Sequence, residues 1–351
     1  MKKYRSIPSI IILVVALLFL VNSKYPKWMG LSLMALAAAS LILASKGTMT
    51  FSKANRIISQ RKPGFLEKAL PLYEKAIKEG IPEQYQLIAA TLLIQYGNME
   101  KGKEALEELL NIKDKKIVFQ AKEGLSMYYW IKKDTGRAIK MCEDAKEMGF
   151  KDKNLYINLG TYYLAKNKLH DFKILMKESY RSKLDSPALV DMQAVCAILE
   201  GNYQKAGNLL ATIFESMTPA YVDPYVHAAM VYLNFGEVET ALEYLKKCLD
   251  ACSFSNTSIL TREGIEKMIS LLENQDTVWA FTAAMNENAL GILNGKLPNC
   301  SKYDNKKPSF ASLPAFKAEG IAKEDLAEDD ENEPNTSLTD EDEEWLKRHK
   351  N

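Results

Sequence analysis

The phrase LEGNYQKAGNLL (residues 199–210) returns as NFGEVETALEYL from Asn234 and, more loosely, as QYGNMEKGKEAL from Gln95. Each copy carries a turn glycine and a small residue five positions on: Gly201 and Ala206, Gly236 and Ala241, Gly97 and Gly102. With Gly201 as position 15 of a unit beginning at Pro187, units begin near Thr50, Glu83, Phe119, Lys153, Pro187 and Val222, spaced by 33, 36, 34, 34 and 35 residues. Position 20 then reads Ala69, Gly102, Ala138, Phe172, Ala206 and Ala241, and position 24 reads Tyr73, Leu106, Cys142, Met176, Leu210 and Leu245. A period of about 34 residues marks a stacked array, in which each unit buries its apolar face on its neighbours. No other feature limits the fold so strongly.

Inside a unit the apolar pattern stops at the glycine and restarts after it, which predicts two helices joined by a turn. Gly201, Gly236 and Gly97 are expected to end the first helix in the left-handed region, where glycine is least strained. The small residue at position 20 lets the two helices cross closely. In YINLGTYYLAKNK (residues 156–168), Leu159, Gly160 and Tyr163 resemble the first helix of the tetratricopeptide repeat, a pair of antiparallel helices. The resemblance covers roughly 50–255. It departs in unit four, where Phe172 replaces a small residue, and in unit one, whose first helix is polar. It implies an all-α, right-handed α-solenoid of about six helix pairs over 47–255. Two further amphipathic segments, SILTREGIEKMISLLENQ and DTVWAFTAAMNENALGILNG, are expected to cap its open end over 256–297.

Before the repeats stand two uncharged apolar runs, Ile7–Asn22 and Trp28–Ser45, split by SKYPK. Each is near the lower limit of the ~17–25 residues that span a bilayer as a helix. No small-x-small cleavage site follows the first run, and a second run comes at once, so residues 1–46 read as a transmembrane hairpin rather than a secretory signal. Three basic residues precede the first span, two lie in the turn and five follow the second. That bias predicts a membrane protein with two spans, its N-terminus and solenoid cytoplasmic. The opening MKK and the Lys/Ile richness suggest a bacterial chain.

Charge is uneven. Glu319–Glu344 holds thirteen acidic residues and one Lys, whereas residues 1–318 hold 42 basic and 32 acidic residues, a net of +10. Residues 298–351 are therefore expected to form a disordered acidic tail. Basic residues are spread over helix faces without clustered aromatics, so nucleic acid is not an expected partner. The five cysteines follow no disulfide or metal spacing.

No catalytic residue, cofactor or metal is predicted, and the chain does not read as an enzyme. GNMEKGKE (residues 97–104) approaches a phosphate-binding loop, but Glu104 replaces the hydroxyl that would hold magnesium and the loop follows a helix. Cys248 and Cys252 share a helix face at a spacing that could hold a metal, but without another evident ligand they read as core packing.

In the tetratricopeptide family the concave groove is lined mainly by first helices, at positions such as 2, 5, 9, 12 and 13. Positions 9 and 12 here read Thr91 and Ile94, Met127 and Trp130, Thr161 and Leu164, Val195 and Ile198, Met230 and Leu233. Only Asn158 matches the amide with which some members clamp a peptide carboxylate. These ten residues form the candidate partner groove, apolar and suited to an amphipathic helix or an apolar peptide. The apolar island Lys307–Gly320 is a candidate internal occupant of it, with an inert linker as the competing reading. The implied function is a membrane-anchored scaffold for protein or peptide partners. The alternative is an accessory chaperone subunit that captures apolar segments of membrane or exported proteins.

Overall fold

The computed structural model describes residues 7–21 and 26–318. Every regular element among them is helical. An N-terminal helix α1 (Ile7–Val21) packs on α2 (Lys27–Gln60), and α2 is followed by α3 (Phe65–Glu79). Five helix pairs come next: α4 (Glu83–Tyr96) and α5 (Met99–Leu109), α6 (Lys115–Ile131) and α7 (Thr135–Lys146), α8 (Lys153–Ala165) and α9 (Leu169–Arg181), α10 (Pro187–Leu199) and α11 (Tyr203–Ser216), α12 (Asp223–Asn234) and α13 (Val238–Ala251). Helices α14 (Arg262–Glu273), α15 (Val278–Glu287) and α16 (Ala289–Leu293) complete the array. The starts expected at Glu83, Lys153 and Pro187 coincide with helix starts.

The recurring turn phrase has a two-part physical basis. Gly201 and Gly236 adopt φ of +77° and +76°, as expected, so the chain reverses there without a Cβ clash. In units three and four Lys133 and Asn167 take that conformation instead. Gly97 corrects the expectation: its φ is −132°, and its lack of a side chain serves close packing against Leu93 and Leu70. In units two, three and five the residue after the turn then caps the second helix, whereas Lys168 and Glu237 of units four and six make no side-chain cap bond. Asn98, Asp134 and Asn202 accept from the backbone N–H groups of Lys101, Arg137 and Lys205.

The small residue at position 20 marks the crossing of the two helices. A Cβ on Gly102 would lie 2.7 Å from the carbonyl oxygen of Ala90 on the facing helix. In unit four the roles exchange. Phe172 is fully buried because Gly160 lies opposite, where a Cβ would stand 3.3 Å from the Phe172 ring.

Two boundaries differ from the sequence reading. The limit expected at residue 46 falls inside α2, which runs unbroken from the second apolar run into the first repeat. At the other end, α15 rather than α14 packs beside α12, so the capping pair is turned over relative to the repeats. The second capping helix is broken at Asn288 into α15 and α16.

The α1–α2 pair is apolar on its outside. Ala16 and Ala37 are fully buried and Gly30 packs on Leu20, whereas Leu18, Val21 and Trp28 are 64%, 84% and 66% exposed. Helix α1 has 15 residues, about 22 Å at ~1.5 Å per residue. Among the described residues no helix is long and apolar enough to cross a membrane. The residues 22–25 of the expected turn, and the side chains of 40–44 in the second run, lie outside the described residues.

The tail expected to be disordered from residue 298 instead packs against the solenoid as far as 318. Residues 319–351 lie outside the described residues. Asn305 accepts from the N–H groups of Trp279 (2.8 Å) and Ala280 (3.1 Å), capping α15, whose own Thr277 side chain makes no cap bond. Phe310 sits on Gly236 and beside Trp279, and Phe316 sits on Gly207 between α11 and the Tyr232 and Tyr244 rings. Lys317 N–H donates to Asn208 Oδ1 at 3.1 Å. The described part of the island thus docks, but on α11, the α12–α13 turn and α15, and not among the residues that line the concave cavity. Substituting Gly207→Ala should drive Phe316 off α11, because the added methyl overlaps its ring. The check is limited proteolysis: cleavage within 303–318 should become severalfold faster while helix content holds, since alanine favours α11 by about 1 kcal/mol.

Candidate functional site in the concave face

The first helices α4, α6, α8, α10 and α12 pack on one another as the inner layer. Their concave surface is not open. The chain leaving α13 crosses back from unit six to unit two, where Asn256 donates from its backbone N–H to the Gln95 carbonyl (2.7 Å) and from Nδ2 to the Ile94 carbonyl (2.8 Å). Those carbonyls lie in the last turn of α4, where helices lack internal donors. Asn294, just past α16, does the same for α8, donating from Nδ2 to the Ala165 carbonyl at 3.0 Å while its own carbonyl accepts from Lys133 Nζ at 3.2 Å. Ile259 and Leu293 then enter the groove and pack on the first helices.

Eight of the ten groove residues are buried: Ile94, Met127, Trp130, Leu164, Val195, Ile198, Met230 and Leu233. Thr91 and Thr161 are half-buried. The expectation of an open apolar groove is corrected here, because the crossover and α16 cover it. Met127, Trp130, Thr161, Leu164 and Val195 are brought together around a remaining cavity of about 220 Å³. Ile198, Met230 and Leu233 belong instead to the core of units five and six. Thr91 lies beside Gly124, and Ile94 packs on Gly102.

One end of this cavity is polar, which the reading of positions 9 and 12 missed. Asp191 on α10 and His227 on α12, 4% and 3% exposed, meet with Asp191 Oδ1 2.8 Å from His227 Nδ1. Tyr221 and Asp223 line the same end, and Asn158 lies along the wall. His227 Nε2 and the Tyr221 hydroxyl are buried without a partner among the described residues. Burial alone would push the His227 imidazolium down. The charge and hydrogen bond of Asp191, with the charge of Asp223, outweigh it and hold the pKa above the ordinary value. Burial pushes the Asp223 carboxyl up to about 6, against the pull of His227 and of the backbone N–H groups of Asp223 and Ile259. No Lys or Arg is among the described residues that line the cavity.

Elsewhere the chemistry resolves into packing. Cys248 and Cys252 are both buried, with Cys252 Sγ 4.0 Å from the Pro219 carbonyl. Among the described residues no group of three or more His, Cys, Asp or Glu is placed to hold a metal ion. In GNMEKGKE the asparagine caps α5, and Lys103 pairs with Glu107 at 3.4 Å.

This arrangement defines a class by its fold: an α-solenoid of tetratricopeptide-like helix pairs, closed along its concave face by its own chain. Among solved structures the chain is similar to a tetratricopeptide repeat protein from Parabacteroides merdae ATCC 43184, with a TM-score of 0.51 at 16% identity over 76% of this chain and 99% of that one. No protein-family model matches the chain, and no curated protein does.

Proposed function

We propose that the chain is a membrane-anchored scaffold that receives a protein or peptide partner in its concave cavity. The observation that carries this reading is α2, one helix that begins in an apolar run and ends as the first inner helix of the solenoid. It joins the repeats to the proposed anchor without a linker. The α1–α2 pair adds support, since small residues face inward and large apolar residues face outward, as lipid-facing helices require. The solenoid faces the cytoplasm in this reading, on the charge bias around the two runs. The covered groove favours a defined partner over broad capture of apolar segments, because little apolar surface is left open there.

The test has two readouts on the full chain expressed in its host. Alkaline extraction should leave the chain in the membrane pellet, and deletion of residues 1–45 should release it. A photoreactive residue replacing Thr161, on the cavity wall, should crosslink one protein of discrete mass, and Val195→Asp should abolish the adduct. Release of the full chain at high pH would remove the anchor. Absence of a discrete adduct would remove the partner.

A further inference from the structure

The polar end of the concave cavity has the composition of a cation site. Two carboxylates, Asp191 and Asp223, face it without a lysine or arginine among the described lining residues. An anion entering there would meet like charge. His227 Nδ1 is engaged by Asp191, which fixes the ring and leaves Nε2 directed at the cavity with no partner. Above its raised pKa the ring is neutral, and with Nδ1 carrying the proton toward Asp191, Nε2 is a lone-pair acceptor; a bound ammonium favours this neutral form by like-charge repulsion. The Tyr221 hydroxyl is a second unpartnered, buried polar group lining the same cavity.

Most of the rest of the wall is apolar, with Gln95, Asn158, Thr161 and Thr257 as its polar members. Trp130, Leu164, Val195 and Leu293 carry it away from the acidic end. At about 220 Å³ the space is far larger than the ~15 Å³ that seats one water, and apolar walls do not hold water well. A ligand matched to both ends carries a hydrogen-bonding cation on a hydrocarbon stem.

We propose that this cavity binds a primary ammonium group on an apolar stem, with its three N–H donors directed to His227 Nε2, the Tyr221 hydroxyl and the Asp223 carboxylate. Three donors match three acceptors, which a guanidinium fork or a quaternary ammonium would not. The burial that raises the Asp223 pKa is the desolvation that a bound cation offsets. The ammonium has two sources, a free amine or the N-terminus or lysine of a peptide. The peptide source rests on the scaffold reading above, and the free-amine source does not.

The experiment is calorimetric titration of the detergent-solubilised full chain with hexylamine, hexanoate and hexanol, and with a short leucine-led peptide whose N-terminus is free or acetylated. Hexylamine is expected to bind and the other two hexyl probes are not. Tyr221→Phe deletes one hydroxyl and keeps the ring, so the fold should persist, as a melting curve would verify. It should weaken amine binding about tenfold, and Asp223→Asn by more. A free N-terminus that binds, with loss on acetylation, supports the inference and the peptide partner together. Hexylamine binding without peptide binding keeps the inference and counts against the peptide partner. The inference is overturned if hexanoate or hexanol binds as well as hexylamine, if binding survives both variants, or if neither amine source binds. A discrete crosslinked partner alongside that last result would leave the scaffold reading standing without it.

Discussion

Phe172→Ala should destabilise the chain by about 3–5 kcal/mol, the usual effect of emptying a fully buried phenylalanine site. Phe172 is 1% exposed in the core that joins units three to five. Its unusual size is matched by Gly160, so the pair predicts a reversal of sign. Gly160→Ala alone should destabilise, because the new Cβ would meet the Met192 side chain at 3.1 Å and the Phe172 ring at 3.3 Å. In the Phe172→Ala background the ring is gone and the flexible end of the Met192 side chain can shift into the space it leaves, so the same substitution should stabilise by about 1 kcal/mol through helix propensity. Urea unfolding of the solubilised chain, followed by tryptophan fluorescence, would measure all four corners of the cycle. Equal effects of Gly160→Ala in both backgrounds would show that the two residues are not paired.

Glu123→Gln should flatten the pH dependence of stability. Glu123 lies on α6 at 9% exposure, and burial, with the charge of Asp152 second, raises its carboxyl from the ordinary 4.5 to about 8. Between those values the folded chain holds a proton that the unfolded chain has released, so stability falls as pH rises. Across the window the loss is about 5 kcal/mol at most. The glutamine variant, neutral throughout, should match the parent near pH 5 and exceed it in melting temperature by pH 9. Comparing the two proteins cancels Asp223, whose carboxyl is also raised, to about 6. Parallel curves would place the Glu123 titration in its ordinary range.

The polar end of the cavity was partly legible. Asp191 and His227 are the acid and the imidazole of two mainly apolar segments, LVDMQAV and YVHAAMV, and they stand 36 residues apart, close to one period. A charge at the same height of consecutive first helices is a cross-helix pair. Position 5 of the unit from Pro187 is Asp191, and position 2 of the unit from Val222 is Asp223, so a full reading of the groove positions reaches both. Tyr221 carries no such signal, since it precedes the helix and its position depends on the turn.

The chord across the groove was not legible. Asn256 reaches a carbonyl 162 residues away, and Asn294 one 129 residues away. Asparagines beside helices and turns are common, and nothing local says which distant helix end they cap. The docking of Phe316 on Gly207 is similar, because a glycine inside a helix reads as a weak helix former until its neighbour is known.

The sequence by itself determined the helix pairs, their phase and the small residues at their crossings. These depend on contacts within a unit or between adjacent units, and such contacts repeat with the chain. Only the tertiary structure decided that the concave face is closed and where the strap lies. Those contacts depend on the accumulated rotation from unit to unit, which brings units two and six within reach of one loop, and no single repeat encodes that sum.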